Sequence, residues 1–205
     1  MAIQNILLAS SSPRRKDLLE SAGYRVTVIA PDVKEEWRRG EDPVSYVRRN
    51  AEEKSADVLG RMRREMSQGE ALLAADTIVV LENKILEKPD DPAHAVSMLE
   101  SLSGKTHFVH TGVCLAYFDR QKRIEQKVFV ETTKVVFKDV NLAEIQAYVA
   151  TGEPLDKAGA YALQGGAAGM VERIEGSRSN VIGLPMERVN REIQGLEDRT
   201  SNIES

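Results

Sequence analysis

The sequence predicts an α/β fold in which helices flank a mixed, twisted sheet. Short apolar runs that are typical of buried strands alternate along the chain with stretches of helical periodicity. This alternation indicates an α/β protein, and hairpin-like pairs of strand signals add antiparallel neighbours, so that the sheet is expected to be mixed. With 205 residues, of which 41% are hydrophobic, the chain can bury a core of this kind.

The first half of the chain contains three helix starts of one type. Ser12, Asp42 and Asp91 each precede a proline, an arrangement that places an N-cap side chain before a proline at the first helical position. The predicted ends of these helices lie near residues 23, 66 and 104. Apolar runs predict strands at residues 3–9, 24–30, 72–81 and 85–86, with a turn at 82–84.

The second half begins with a long hairpin. Residues 108–118 and 124–137 are its predicted strands, joined by a polar turn. Asn141 and Glu144 have the spacing of a capping box, and the helix that they begin is predicted to end at Gly152.

The last part of the chain returns to short elements. Strands are predicted at residues 160–163 and 170–174, and a final amphipathic helix begins at Pro185. We expect residues 1–196 to form a single domain and residues 197–205 to form a polar C-terminal tail.

The composition argues against several classes of function. A net charge of -4 and a pI of about 5.6 do not fit a general nucleic-acid binder, which is normally basic. Cys114 is the single cysteine, so an intrachain disulfide and a cysteine-based zinc site are excluded, and a buried structural thiol is expected. No apolar stretch reaches the roughly 20 residues of a membrane span, and the N-terminal apolar run is too short for a signal peptide. We therefore expect a cytoplasmic protein without nucleic-acid or membrane partners.

Two arginines stand where the helix dipole disfavours them. Arg14 and Arg15 lie in the first turn of the first predicted helix, where acidic side chains are favoured. Unpaired backbone N–H groups at a helix N-terminus bind anions, so a docked phosphate would explain both arginines. A solvated basic turn is the alternative, because one misplaced charge costs only about 0.3–1 kcal/mol.

Lys54 falls within an apolar stripe of the second predicted helix. Val47, Ala51, Lys54 and Val58 follow the spacing of one helical face. A lysine on a face that points to the core must either extend its ammonium group to water or meet an anion.

Asp76 interrupts the predicted strand at residues 72–81. An ionised carboxylate within a strand needs partners, or its pKa rises. The aspartate is either a structural residue at a strand end or a functional one, and functional carboxylates also favour strand ends.

Other motifs of nucleotide and hydrolytic chemistry are absent from the sequence. The phosphate-binding pattern GxxxxGK[ST] does not occur. His94, His107 and His110 show neither metal-ligand spacing with carboxylates nor a catalytic triad, and we interpret them as surface or strand residues.

Seven segments taken together resemble the Maf-like nucleotide pyrophosphatases. Each is weak alone, but they occur in the family's order and extend from residue 8 to residue 185, nearly the whole chain. The segments are LASSSPRR at 8–15, NAEEK at 50–54, AADTIV at 74–79, LEKP at 86–89, LSG at 102–104 with His107, DKAGAYALQG at 156–165 and VIGLP at 181–185.

The resemblance implies an elongated α/β fold with the active site in a cleft between two lobes. It implies a nucleoside triphosphate substrate, a divalent cation, usually Mg²⁺ or Mn²⁺, and a homodimer. It also implies removal of unwanted nucleotides from the cellular pool and a link to the control of septum formation.

The resemblance also implies roles for particular residues. Asp76 corresponds to the general base, and Ser10, Arg14 and Arg15 correspond to the phosphate-binding loop. Other polar residues of the catalytic pocket correspond to Glu35, Lys54 and Lys88. Asp76 and Glu35 are the expected metal ligands.

Three positions resemble the branch of the family that cleaves dTTP and UTP. The branch for 7-methyl-GTP tends to carry tryptophan, glutamine and glutamate where this chain has Arg14, Thr77 and Gln164. A glutamine amide both donates and accepts, which suits the O4 and N3–H groups of thymine or uracil. A pyrophosphatase for 7-methyl-GTP or another non-standard nucleotide, and a nucleotide sensor that does not hydrolyse its ligand, are the alternatives.

Overall fold

The computed structural model describes residues 3–67, 69–118 and 123–201, which form a mixed sheet flanked by helices. The strands are β1 (Asn5–Ala9), β2 (Arg25–Val28), β3 (Glu70–Leu81), β4 (Lys84–Leu86), β5 (Thr106–Phe118), β6 (Ile124–Phe137) and β7 (Val171–Glu175). The α-helices are α1 (Pro13–Ser21), α2 (Pro43–Met62), α3 (Pro92–Leu102), α4 (Leu142–Val149), α5 (Arg178–Ile182) and α6 (Met186–Ser201).

The sheet confirms the predicted mixed α/β architecture. Its strand order is β2-β1-β3-β5-β6-β7, and the short strand β4 makes an additional pairing with β3. Strand β1 is parallel to β2 and β3, whereas β4 is antiparallel to β3 and β7 is antiparallel to β6. None of the helices in the described part of the chain is long and apolar enough to cross a membrane.

The chain divides into two compact units. Unit 1 consists of Met1–Asp76, Thr111–Val130 and Gly183–Ser205, and unit 2 consists of Thr77–His110 and Glu131–Ile182. The long strands β3, β5 and β6 contribute residues to both units.

In unit 1, both faces of the strands are covered by helices. One face buries Leu8, Leu73 and Leu115 in a cluster with α1 and α6, and the other buries Leu7, Leu72 and Cys114 in a cluster with α2. Successive side chains of a strand point to opposite faces, so strands covered on both sides need continuous apolar runs. The runs from which the strands were predicted are of this kind, and Cys114 is the buried thiol expected from the sequence.

Unit 2 has a separate apolar core. Val79, Val109 and Val135 from three strands pack in one cluster with Leu99 of α3 and Ile145 of α4. Burial of a leucine or isoleucine side chain of this kind contributes about 1.5–3 kcal/mol relative to its exposure. The amphipathic helices α3 and α4 are therefore held by the strand face that they cover.

The predicted strand at residues 160–163 is wrong. The chain there forms a 3₁₀ turn at Ala158–Ala160, followed by an irregular segment. Gly159 and Ala160 have φ values of 67° and 58°, which are incompatible with a strand. A Cβ on Gly159 would lie 2.9 Å from the Val79 side chain, so only glycine allows this close approach.

Predicted element boundaries differ from the observed ones by a few residues. Helix α2 ends at Met62 rather than Met66, and α6 continues to Ser201. The capping box of Asn141 and Glu144 is confirmed, because each side chain bonds to the backbone of the other residue. Residues 119–122, in the predicted polar turn, and residues 202–205 of the predicted tail lie outside the described residues. The domain boundary at residue 196 stays a prediction.

Replacement of Gly112 by alanine is expected to destabilise unit 1. The new Cβ would overlap the carbonyl of Val47 and lie 2.9 Å from the Arg48 nitrogen, both in the backbone of α2. We expect Gly112→Ala to lower the free energy of unfolding by about 1–3 kcal/mol, measured by urea denaturation.

The matched control for this glycine is Gly60→Ala in α2. A Cβ on Gly60 meets nothing within 4 Å, and alanine favours a helix interior by about 0.5–1 kcal/mol over glycine. The control should therefore be as stable as the unmodified protein or more so. Equal unfolding midpoints for the two variants would contradict the prediction.

Candidate active site

The candidate site of unit 1 begins where β1 ends. The parallel pairing of β1 with β3 stops at Ala9 and Ala74, so Ser10 and Asp76 lie just beyond the last paired residues, while β3 itself continues. In α/β folds, ligands usually bind just outside the carboxyl ends of parallel strands, where the loops leave the sheet.

Arg15 forms hydrogen bonds that link the loop after β1 to two other parts of the chain. Its Nε donates to the carbonyl oxygen of Gly183 at 2.9 Å, and its Nη1 donates to the carbonyl oxygen of Ala75 at 2.8 Å and to Ser10 Oγ at 3.0 Å. Burial lowers the pKa of the Arg15 guanidinium, and the nearby charge of Asp76 acts in the opposite direction. The sequence did not indicate that Arg15 would be buried and bonded to two distant backbone carbonyls.

The N-terminus of α1 carries the other residues of the predicted phosphate loop. Ser12 is at the N-cap position, as predicted, but its side chain makes no capping hydrogen bond. Its backbone N–H instead donates to Ser10 Oγ at 3.2 Å. Arg14 is half-buried in the first turn of the helix. The phosphate-binding roles of Ser10, Arg14 and Arg15 stay predictions.

Lys54 meets two carboxylates in a largely buried position. Only 7% of its side chain is exposed, and its Nζ lies 2.8 Å from Asp76 Oδ1 and 2.9 Å from Glu35 Oε1. Of the two alternatives left by the sequence, the lysine therefore meets anions, and these anions belong to the protein. Asn50, one helical turn earlier on α2, donates from Nδ2 to Asp76 Oδ2 at 2.9 Å.

Asp76 lies inside β3 rather than at its end. Burial acts to raise the pKa of this carboxyl group, but the charge of Lys54 and the hydrogen bonds from Lys54 and Asn50 outweigh burial, so the pKa lies below its ordinary value. Burial and the charge of Asp76 raise the pKa of Glu35, against the opposing effect of Lys54. Two neighbouring carboxyl groups thus have pKa values shifted in opposite directions, an arrangement that is common at catalytic sites.

Glu35 belongs to a segment without helix or strand that is bonded to α2. Tyr46 Oη donates to the carbonyl oxygen of Glu35 at 3.2 Å, and Arg49 Nη2 donates to the carbonyl oxygen of Glu36 at 2.9 Å. The ring of Trp37 stacks on that of Tyr46 with centroids 5.3 Å apart. These contacts hold the backbone of the segment while 45% of the Glu35 side chain stays exposed.

Sequence reasoning missed Asn50 and Tyr46 as residues of this site. Tyr46, Asn50 and Lys54 are spaced by four residues, so they lie along one face of α2, and all three are buried. A polar residue one turn before a lysine in an apolar stripe was the available signal for Asn50. Nothing in the sequence indicated that Tyr46 belongs to the site, because an aromatic side chain fits a core position equally well.

The remaining predicted site residues lie in unit 2. Thr77 is half-buried on β3, Lys88 is exposed after β4, and Gln164 is exposed in a turn at residues 163–165. Their catalytic and substrate-binding roles stay predictions. No group of three or more His, Cys, Asp or Glu side chains within the described ranges could hold a metal ion, and the metal-binding roles of Asp76 and Glu35 stay predictions.

The fold and the site define an α/β protein in which a buried carboxylate, ion-paired with a lysine, lies beside the N-terminus of a helix. The chain belongs to the Maf-like protein family, whose profile matches residues 5–196. This match confirms the resemblance on which the family assignment was based.

Relatives extend the comparison over most of the chain. A protein of Geobacter sp. (strain M21) named dTTP/UTP pyrophosphatase is 49% identical over 186 residues, which cover 91% of this chain and 92% of that protein. A protein of Geotalea uraniireducens (strain Rf4) with the same name is 50% identical over 185 residues, which cover 90% of this chain and 91% of that protein.

A more distant comparison comes from solved structures. The crystal structure of a nucleoside-triphosphatase/dITP/XTP pyrophosphatase from Mycobacterium abscessus matches with a TM-score of 0.43 and 16% identity, covering 95% of this chain and 96% of that one. This similarity is too low to support an inference about activity.

Lys54→Met is expected to destabilise the protein by about 3–5 kcal/mol, because it leaves Asp76 buried without its counter-charge. The double variant Lys54→Met/Asp76→Asn removes that charge as well and should recover much of the loss in urea denaturation. Lys16→Met is the control, since Lys16 forms an exposed pair with Glu20 at 3.6 Å, worth less than about 1 kcal/mol. Equal losses in Lys54→Met and Lys16→Met would contradict the prediction.

Proposed function

We propose that this chain is a nucleoside triphosphate pyrophosphatase that hydrolyses dTTP and UTP to the monophosphate and pyrophosphate. The observation that carries the proposal is the buried Asp76 carboxylate, held by Lys54 and Asn50 at the carboxyl end of β1. The names of relatives at 49% and 50% identity support the same reaction and the same nucleotides.

In the proposed reaction, a water oxygen attacks the α-phosphorus. A bond forms between this oxygen and the α-phosphorus, and the bond from the α-phosphorus to the oxygen that bridges to the β-phosphate breaks. Pyrophosphate leaves with the electron pair, in line with the attacking water. Asp76, ionised at neutral pH because its pKa is lowered, orients the water and accepts its proton. As a metal ligand, Asp76 would instead hold a cation that would supply activation of the water.

Binding of the triphosphate requires positive charge and N–H donors. We assign this role to Arg14, Ser10 and the first turn of α1, where backbone N–H groups and the helix dipole favour an anion. Arg15 contributes charge from a buried position and fixes the shape of the loop. We also assign a phosphate-binding role to Lys88, as the family resemblance implies.

A divalent cation fits the acidic residues of the site. Mg²⁺ is usually held by one or two carboxylates together with substrate phosphates, rather than by a cage made of protein alone. Asp76 and Glu35 both place an oxygen within 3 Å of Lys54 Nζ, so the two carboxylates already converge on one positive charge. With these two residues as ligands, Mg²⁺ or Mn²⁺ would neutralise phosphate charge during the reaction.

Selection of the base is assigned to Arg14, Thr77 and Gln164. The exposed amide of Gln164 can donate to O4 and accept from N3–H of thymine or uracil. We further propose that the protein acts in the cytoplasm as a homodimer and removes unwanted pyrimidine nucleotides, as the family resemblance implies.

The proposed reaction is tested by measuring pyrophosphate release from dTTP, UTP, CTP, 7-methyl-GTP and ITP with Mg²⁺ or Mn²⁺. We expect dTTP and UTP to be preferred, and Asp76→Asn to lower kcat by at least about 100-fold while nucleotide binding persists. Asp57→Asn, an aspartate of α2 bonded to Arg61, is the matched control and should keep its activity.

Each other outcome of this experiment has a distinct meaning. Preference for 7-methyl-GTP or ITP would refute the assigned specificity and keep the reaction. Binding without cleavage of any nucleotide would identify a sensor, and full activity of Asp76→Asn would remove Asp76 from the mechanism.

Gln164→Glu is expected to lower kcat/KM for dTTP and UTP selectively. A carboxylate cannot donate to O4 of the base, so one of the two base contacts is lost, at a cost of about tenfold or more. The measurement is kcat/KM for UTP beside that for CTP. An equal fall for both nucleotides would refute the assignment of Gln164 to base selection.

A further inference from the structure

The turn that carries Gln164 is bonded on both sides to two side chains of unit 2. Tyr148 Oη accepts a hydrogen bond from the Ala162 N–H at 3.0 Å, before the glutamine. Glu153 Oε2 accepts one from the Gly166 N–H at 3.1 Å, after it. Tyr148 Oη in turn donates to Glu153 Oε1 at 3.2 Å, so the two contacts form one continuous chain.

Two glycines allow the turn to lie directly on these side chains. A Cβ on Gly165 would overlap the Glu153 carboxyl group, and a Cβ on Gly166 would lie 2.8 Å from the Tyr148 ring. The turn also has a backbone bond of its own, from the Gly165 N–H to the Ala162 carbonyl oxygen at 3.2 Å. The backbone on either side of the glutamine is therefore fixed by contact as well as by hydrogen bonds.

The two supporting side chains differ from Gln164 in exposure. Tyr148 is only 5% exposed on α4, and Glu153 is half-buried in a 3₁₀ turn that follows this helix. Gln164 itself is exposed. Tyr148 and Glu153 thus contact the backbone of the turn, whereas the side chain of Gln164 is open to solvent.

We propose that Tyr148 and Glu153 are positioning residues that fix the backbone on both sides of Gln164 and thereby set where its amide meets the pyrimidine. The inference rests on the proposed function, in which Gln164 contacts the base. Uracil presents an acceptor at O4 and a donor at N3, whereas cytosine presents a donor at N4 and an acceptor at N3. A glutamine amide satisfies the first pattern in one orientation and the second after a 180° flip, so the preference for uracil depends on the position in which the turn holds the amide.

The test compares Tyr148→Phe with the unmodified protein. This change removes the hydroxyl group that joins Ala162 to Glu153 and leaves the ring that packs on Gly166. We expect the ratio of kcat/KM for UTP to kcat/KM for CTP to fall by about tenfold, mainly through a higher KM for UTP, with kcat largely kept. Tyr117→Phe is the matched control, because Tyr117 is a buried tyrosine that donates to a carboxylate, Glu125, in unit 1. It should leave the ratio unchanged.

A double-mutant cycle separates positioning from general destabilisation. If Tyr148 acts through Gln164, Tyr148→Phe should cause no further fall in the UTP/CTP ratio in a Gln164→Ala background. Losses that multiply in the double variant would overturn the inference. Glu153→Gln, which keeps an acceptor for Gly166, should retain more of the ratio than Glu153→Ala, and this pair serves if Tyr148→Phe fails to fold.

The outcomes also distinguish this inference from the proposed function. Failure of the unmodified protein to cleave UTP would refute the proposed function. Equal UTP/CTP ratios for the unmodified protein and Tyr148→Phe would refute the positioning role alone.

Discussion

The rest of the site depends on the ion pair between the ammonium group of Lys54 and the carboxylate of Asp76. The ammonium group offsets the charge of a carboxylate that would otherwise be too costly to bury within a strand, and it holds a second carboxylate 2.9 Å away. Helix α2 supplies this charge, and its neighbour Asn50 supplies a neutral donor to the same carboxylate. The charged centre therefore depends on correct packing of one helix against one strand.

Buried polar side chains recur beside the predicted site residues. Several of them bond to backbone groups of nearby segments. Arg15 binds the carbonyl oxygens of Ala75 and Gly183, Tyr46 binds that of Glu35, and Tyr148 binds the N–H of Ala162. Backbone bonds of this type fix the path of a loop while the exposed side chains of the loop stay available for chemistry.

The sequence predicted helices, strands and unusually placed charges better than it predicted contacts between distant residues. Lys54 was recognised because a cation in an apolar stripe violates a regular pattern, and that violation is local in the sequence. The role of Arg15 could not be found in this way, since its partner Gly183 is 168 residues away. The strand predicted at residues 160–163 failed because its apolar composition fits a strand, whereas its first residue, Ala160, has a positive φ and the preceding Gly159 lies directly against Val79.

The hydrogen bond from Arg15 to Gly183 has a consequence for the order in which the chain can fold during its synthesis. Arg15 precedes every residue of unit 2 in the sequence, whereas its partner Gly183 follows all of them. All residues of unit 2 precede Gly183, so unit 2 can complete its contacts first. The loop after β1 therefore gains its bond from Arg15 to Gly183 only after the whole of unit 2 has been synthesised.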